Sequence, residues 1–573
     1  MKKYILAAAI SIMMLMLLPA CADSSKEPVN SLSPSAEGTE ILPSAGVTEE
    51  AGGTELSEQR QKAAKYKEEQ ETAEAAIQAE LENGYTFEEP LVVVNPYSLS
   101  PLSAVVGFDT EQETRIDVTV KGKDANTDIS HSFEESSTRH LLPIYGLYAG
   151  YDNTVELTAT TQDGQSRTTV LTIKTDALPD DISKVEVRVA APEKMAAGLT
   201  FVDSPNFNAN YRFAFDCNGE IRWYFADKSF SGALLLLQLD NGNFIIPSGE
   251  SMPGLVDNVY GCYEVTPLGR LVKEYHHYGL HHDVKELSNG NLIITASKEG
   301  SESCNDYVVE IDRETGEQVN AWDLKEIIPM TSYTPAKPYR DMHHSDDRWL
   351  HNNSVWYVEE EDSIIVSGRD QDMVMKFDAK TGEIRWILSE TVGEENEELR
   401  PYLLKPVEGA DFEYPTGQHA AMQTPEGDLM LFDNRNQDMF TADGSIDQSK
   451  LYSRAVRYEI DEENMTVKQV WQYGKERGTE TYSSYVSDVD YLTPGHYLID
   501  FGGIFVLPDG TSGDLSEFTQ EKLSTASLES VIAEIVDHEV VFEVRLHGEG
   551  INANTFKAER TDIYQSARDL LAE

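Results

Sequence analysis

Gly417-Gln418-His419-Ala420-Ala421 leads into Gln423-Thr424-Pro425-Glu426-Gly427-Asp428 and then Leu429-Met430-Leu431-Phe432-Asp433-Asn434. A histidine opens a short strand, a glycine turn follows, and a second apolar strand runs back. The same phrase occurs twice earlier. His281-His282-Asp283 precedes Leu287-Ser288-Asn289-Gly290 and Leu292-Ile293-Ile294-Thr295. His351-Asn352-Asn353-Ser354 precedes Glu361-Asp362 and Ser363-Ile364-Ile365-Val366. The phase is kept while the flanking sequence varies. Three histidines therefore take one place in three successive repeats.

The repeat extends from about residue 184 to 566. One turn follows each inner strand: Asn241-Gly242, Asn289-Gly290, Glu361-Asp362, Glu426-Gly427 and Pro494-Gly495. A second turn is followed by an aromatic residue. Gly219 leads to Trp223, Gly316 to Trp322, Gly382 to Trp386, and the 461–464 turn to Trp471. Four strands per repeat with such turns make a propeller blade. Five repeats fit between about 230 and 548, and an incomplete one (211–225) precedes them. A C-terminal strand near 552–558 completes it, which predicts an all-β fold with a six-bladed β-propeller. A two-sheet sandwich leaves the equal phasing of turns and tryptophans unexplained.

The rest of the chain reads as a lead-in. Met1-Lys2-Lys3 is basic, residues 4–18 are apolar, and Leu18-Pro19-Ala20-Cys21 closes the segment like a bacterial lipobox. The run is short for a membrane span. Residues 1–21 are thus expected to be a lipoprotein signal, with Cys21 lipidated and the protein exported and anchored on the outer face of the bacterial cell membrane. Residues 22–55 are rich in Ser, Pro, Gly, Thr and Glu, the composition of a flexible tether. Residues 56–84 read as a charged helix stopped by Asn83-Gly84. Strands at 115–120, 139–144, 154–160 and 168–174 place a small β-sandwich of immunoglobulin or fibronectin type at 90–177.

Composition excludes several partners. A formal charge of −54, from 100 acidic and 46 basic residues, repels nucleic acid and anionic lipid. Any membrane contact is then through the lipid anchor alone. Four cysteines in 573 residues make no disulfide scaffold, and Cys217, Cys262 and Cys304 leave the choice of any pair open.

In a propeller the first strand of each blade lines the channel, and antiparallel pairing returns the end of strand two to the same mouth. His282, His351 and His419 should gather there. Arg369, just past Ile364-Ile365-Val366-Ser367-Gly368, should stand beside His351. Three imidazoles and a guanidinium form a local positive site on a very acidic protein, which suits an oxyanion. A single histidine at a strand start is ordinarily structural, but three in phase are harder to explain that way. Three histidines can also hold zinc; the guanidinium argues against a dication, so no metal and no cofactor is expected. His276-His277 and His343-His344 fall outside the phase and read as surface residues in loops.

These motifs carry a resemblance. His351-x-Asn353-Ser354, the run from Ser363 to Arg369, Gly382-Glu383-Ile384-Arg385-Trp386-Ile387-Leu388, Gln418-His419-Ala420 and Phe432-Asp433-Asn434 are similar to the bacterial arylsulfate sulfotransferases. Asn95-Pro96-Tyr97, Ser100-Pro101-Leu102 and Ile144-Tyr145-Gly146-Leu147 resemble the small N-terminal domain of that family. The similarity covers nearly everything after about residue 90. It implies transfer of a sulfuryl group from a phenolic sulfate ester to a phenol, without a nucleotide donor. It implies His419 as the nucleophile that becomes sulfated, with His282, His351 and Arg369 on the sulfate oxygens. Asn353 and Tyr97 carry over as substrate-binding residues, Tyr97 near the entrance for the aromatic ring. His281 could replace His282, which is preferred because it directly precedes Asp283. Two departures stand out: no cysteine pair precedes His419, and a lipobox replaces a free periplasmic form. A binding lipoprotein on the same propeller, or a hydrolase releasing sulfate, would use the same anion site.

Overall fold

The structure is a computed structural model. It describes residues 57–203, 211–232, 236–253, 255–301, 303–328, 349–435, 450–508, 510, 526–548 and 552–571. Cys21, the lipobox, the tether and His343-His344 lie outside these residues.

A helix, α1, spans Glu58–Leu81. The Ser57 side chain accepts a hydrogen bond from the Arg60 amide and satisfies one orphan donor of its first turn. Past its end, Gly84 takes φ +82°, which only glycine adopts cheaply. Ala63, Gln70, Ile77 and Leu81 are its buried residues. Polar side chains tie it to the strand Leu271–Leu280 and the turn before it. Gln70 Nε2 donates to the Gly269 carbonyl at 3.0 Å and its Oε1 accepts from Leu271 N at 3.0 Å. Arg60 pairs with Glu274 at 2.8 Å and Glu74 with Arg270 at 2.6 Å.

The N-terminal domain has five strands: Leu91–Val94, Ala104–Val120, Ile129–Ile144, Asp152–Thr161 and Ser166–Lys174. Leu91–Val94 pairs with the first half of Ala104–Val120, and Asp152–Thr161 pairs with its second half. An irregularity between Asp109 and Ile116 separates the halves.

The remaining described strands form a β-propeller of six sheets. The third sheet runs from Val284 to Asp323 and the fourth from Asn352 to Leu388, each with four strands in sequence order. The fifth contains His419–Gln423, Leu429–Asp433, Arg454–Asp461 and Thr466–Tyr473, with Lys405–Pro406 added in parallel to the last. Two exchanges close the propeller. Lys557–Thr561 pairs with Leu199–Asp203 and supplies the innermost strand of the first sheet; the closing strand falls a few residues past the 552–558 expected for it. Lys184–Ala190 pairs with Glu539–His547 and supplies the outermost strand of the sixth. These exchanges tie the first and sixth sheets to strands from opposite ends of the propeller segment.

The repeating tryptophans have a common task. Trp223, Trp322 and Trp386 sit on outer strands, and each indole N–H reaches a turn of the following sheet: Pro267 O at 2.8 Å, Ala379 O at 2.7 Å and Glu462 Oε1 at 2.8 Å. Trp471 instead packs on Tyr497 of the sixth sheet at 4.3 Å between centroids. An aromatic body fills the wedge between blades while its polar edge finds an acceptor. His276 and His277 lie on the strand Leu271–Leu280 rather than in a loop; His276 is exposed and His277 half-buried.

Candidate active site

The three histidines and Arg369 lie where the inner strands of the third, fourth and fifth sheets begin. The His282 and His351 rings stand 4.9 Å apart in an edge-on contact. Phe556, just before the closing strand Lys557–Thr561, contacts both His282 at 5.7 Å and His419 at 6.1 Å. The Arg369 amide donates to the His351 carbonyl at 3.2 Å, which puts the guanidine-bearing residue beside His351. Arg369 Nη1 pairs with Asp370 at 2.9 Å. All four residues are buried or nearly so; His419 is 2 % exposed.

The histidines converge in space without sharing one register. Counted back from the last residue paired across the hairpin, His282 stands four before Glu286 and His419 four before Gln423, but His351 stands seven before Val358. The inner strand of the fourth sheet is longer, with an irregularity between Asn352 and Ser354. His282 and His351 both take left-handed backbone, φ +50° and +52°; in the fifth sheet that conformation falls on Ala420, φ +56°. Left-handed backbone costs a residue with a Cβ about 1 kcal/mol or more, and such strain gathers at functional sites.

The segment carrying His419 is stitched to the fourth sheet. Gln418 Nε2 donates to Ser367 Oγ at 3.1 Å, to the Gly368 carbonyl at 3.3 Å and to the Met373 carbonyl at 3.0 Å. The Gln418 carbonyl accepts from Asn353 Nδ2 at 2.8 Å, and Gly417 N donates to Asp372 Oδ1 at 2.8 Å. The strand end that precedes Arg369 therefore also fixes the backbone that precedes His419.

Electrostatics keeps His419 neutral. Burial, then repulsion from Arg369, pushes its pKa down to about 3, against the hydrogen bond from its Nδ1 to Asn434 Oδ1 at 2.7 Å. His281 and His282 share a hydrogen bond between their Nδ1 atoms at 2.9 Å, so a charge on either ring is felt by the other. No group of three or more His, Cys, Asp or Glu among the described residues is arranged to hold a metal.

An arylsulfotransferase family model matches residues 184–556, and the model of that family's immunoglobulin-like domain matches 91–176. This chain belongs to the arylsulfotransferase family. It is 25% identical over 529 residues to the arylsulfate sulfotransferase AssT of Lelliottia amnigena, covering 74% of this chain and 87% of the relative. It is 26% identical over 534 residues to the protein of that name from Escherichia coli O6:H1 strain CFT073, with the same coverage.

Tyr97 is placed elsewhere than the family resemblance suggested. It is buried under α1, and its hydroxyl donates to Glu74 at 3.0 Å. It lines a cavity of about 690 Å³ with Arg270, Tyr145 and Arg568, whose lining includes none of the three histidines or Arg369. Asn353, expected to bind substrate, donates to the Gln418 carbonyl as part of the stitch. Sequence reading missed Asn434, the role of Gln418, Phe556 and the His281–His282 bond. Gln418 and Asn434 stood inside the quoted motifs, but nothing in a linear pattern says which atoms they face. Cys217, Cys262 and Cys304 are all buried free thiols.

Proposed function

We propose that this protein transfers a sulfuryl group from a phenolic sulfate ester to a phenol in two displacements, through a covalent intermediate on His419. The observation that carries this reading is a buried imidazole, kept neutral beside a guanidinium and joined through Phe556 to a contacting pair of imidazoles. A sulfate ester carries negative oxygens that repel anionic nucleophiles. A neutral ring is not repelled and can attack sulfur. Arg369 supplies positive charge, and His282 and His351 supply hydrogen-bonding groups, where charge develops on the sulfuryl oxygens and on the leaving phenolate. His282, backed by His281, is suited to pass a proton to the leaving oxygen and take one from the acceptor.

Without acceptor, each competent site should release one phenol in a burst and then stall, leaving one sulfuryl group on the peptide that contains His419. A phenol acceptor should then discharge the label as sulfated product, and initial-rate lines should be parallel. Intersecting lines with no label would replace this scheme by direct transfer between two bound phenols. Steady release of inorganic sulfate without acceptor would make the protein a hydrolase.

The lipobox supports a second element of the reading, that lipidation of Cys21 tethers the protein outside the cell. Full-length protein should enter the detergent phase on fractionation and leave it on Cys21→Ser.

A further inference from the structure

We propose that Asn434 fixes the tautomer of His419, so that Nδ1 keeps its proton throughout the cycle and Nε2 is the atom that bonds to sulfur. The inference rests on the double-displacement reading above.

Asn434 is fully buried and stands just past the strand Leu429–Asp433, next to His419 across the hairpin. Its amide can sit only one way round. Nδ2 donates to the Ser483 carbonyl at 2.8 Å and the Val486 carbonyl at 3.0 Å, and neither carbonyl can donate. Oδ1 is thereby turned toward His419 Nδ1, 2.7 Å away. An amide oxygen only accepts, so Nδ1 must carry the hydrogen, and in a neutral ring Nε2 then holds the lone pair.

The choice of an amide has a chemical reason. A carboxylate at this place would favour the doubly protonated ring and cap the lone pair with a proton. Asparagine orients the ring without adding charge. The residue is thus a positioning residue, comparable in role to the outer partner of a metal-bound histidine.

The cycle balances with Nδ1–H unchanged. The Nε2 lone pair forms the N–S bond as the S–O bond to the donor's aromatic ring breaks, and phenolate leaves with that electron pair. The ring becomes an N-sulfo imidazolium whose Nδ1–H still faces Asn434 Oδ1. The acceptor oxygen then bonds to sulfur and the N–S pair returns to the ring. The acceptor loses one proton, which matches the one taken up by the departed phenolate.

Two measurements test this. The labelled peptide from full-length wild-type protein, digested at high pH, is compared with synthetic Nδ1- and Nε2-sulfohistidine peptides. The Nε2 isomer is expected. The Nδ1 isomer would overturn the inference while leaving double displacement intact, and absence of any label on His419 would overturn both. Second, burst amplitude and burst rate are measured for Asn434→Ala. The amplitude counts competent sites; the rate per site reports positioning. A rate per labelled site lower by about 10- to 100-fold is expected, in line with loss of one buried hydrogen bond to a group that becomes charged. A reduced amplitude with an unchanged rate per site would mean that Asn434 only supports the fold, and would overturn the inference. If Asn434→Ala does not fold, the tautomer of His419 in ¹⁵N-histidine-labelled wild-type protein decides the matter. Hydrogen on Nδ1 is expected, and hydrogen on Nε2 would refute the assignment.

Discussion

Two buried, charged regions share the inner strands, and they solve the problem of burial in opposite ways. The first is the cluster of His282, His351, Arg369 and His419. The second is a tight cavity of about 20 Å³ lined by Asp283, Lys285, Asp488, Asp490 and Lys557, together with Asn353, Ala420 and Phe556. In the second region the charges compensate one another. Lys557 lies 2.6 Å from Glu559 and 3.9 Å from Asp283, and Lys285 lies 3.5 Å from Asp283. Burial alone would push Lys557 down, but the carboxylates outweigh it and hold the lysine well above its ordinary value. In the first region burial and a cation act together on His419 and strip it of charge. Acids around a cation compensate one another; beside His419 a cation instead meets an uncharged base. On a protein of net charge −54, that local inversion is what the proposed sulfate-ester site relies on.

Breaking the first region should have the largest effect. His419→Ala should reduce transfer by about 10,000-fold or more, because it removes the nucleophile itself, and should abolish the phenol burst. His282→Ala and His351→Ala should slow the burst without moving the label from His419. Arg369→Lys keeps a charge but loses the planar fork, and turnover should fall by about 100- to 1,000-fold with the fold retained. Arg369→Ala tests the electrostatics separately. It removes the second cause of the depressed His419 pKa, so the pKa should rise and the acid limb of the burst rate should move to higher pH. An unchanged limb would show that burial alone sets it.

The second region answers to stability rather than turnover. Lys557→Met should leave Glu559, Asp283, Asp488 and Asp490 facing one another, at a cost of about 3–5 kcal/mol near neutral pH. The loss should shrink at lower pH as the carboxylates take up protons. Chemical denaturation at two pH values checks both statements.

The first region was largely legible in the sequence and the second was not, for a physical reason. His282, His351 and His419 recur with turns whose positive φ demands Gly or Asp, at Gly242, Gly290, Asp362, Gly427 and Gly495. Such turns fix the hairpins, and hairpins fix which strand ends meet. Arg369 followed from the same strand geometry. The register did not: the longer inner strand of the fourth sheet carries His351 three residues further from its hairpin than its partners stand from theirs, and no residue type announces the irregularity at 352–354. Contacts that join blades were invisible for a related reason. Gln418 on Met373, Asn434 on Val486 and Lys557 on Asp283 link residues far apart in the chain, and no periodicity records such pairs. Lys184–Ala190 alternates like any half-buried strand, so its place on the last sheet could not be told from its sequence alone. Tyr97 was carried over from the family pattern, and its bond to Glu74 of α1 takes it to another cavity.

The smallest effect separates the two regions by the sign of a pH dependence. Burial raises the Asp488 carboxyl to about 6, against Lys557 and Lys285, and its Oδ2 has no hydrogen-bond partner among the described residues. The unfolded chain releases this proton near the ordinary carboxylate value, so between about pH 4 and 6 the native state binds more protons. Its contribution to stability is complete below pH 4 and is lost as pH rises to about 6. His419 works the other way. The unfolded ring takes up a proton below about 6.5 and the native ring does not until about 3, so its contribution is lost as pH falls. Asp490 moves in the same direction as Asp488, and part of its shift comes from Asp488 itself, so the two titrate as a pair. Asp488→Asn should therefore remove one proton from the native excess and also lower Asp490. Stability should become on the order of 1–3 kcal/mol less dependent on pH between 4 and 6, with the gain at the upper end. The phenol burst at pH 7 should stay within about twofold, since Asp488 lines the compensated cavity, whose lining includes neither His419 nor Arg369. His419→Asn should change the slope with the opposite sign and abolish the burst. Parallel shifts of both variants would mean that the two regions titrate as one system, and the distinction between them would fall.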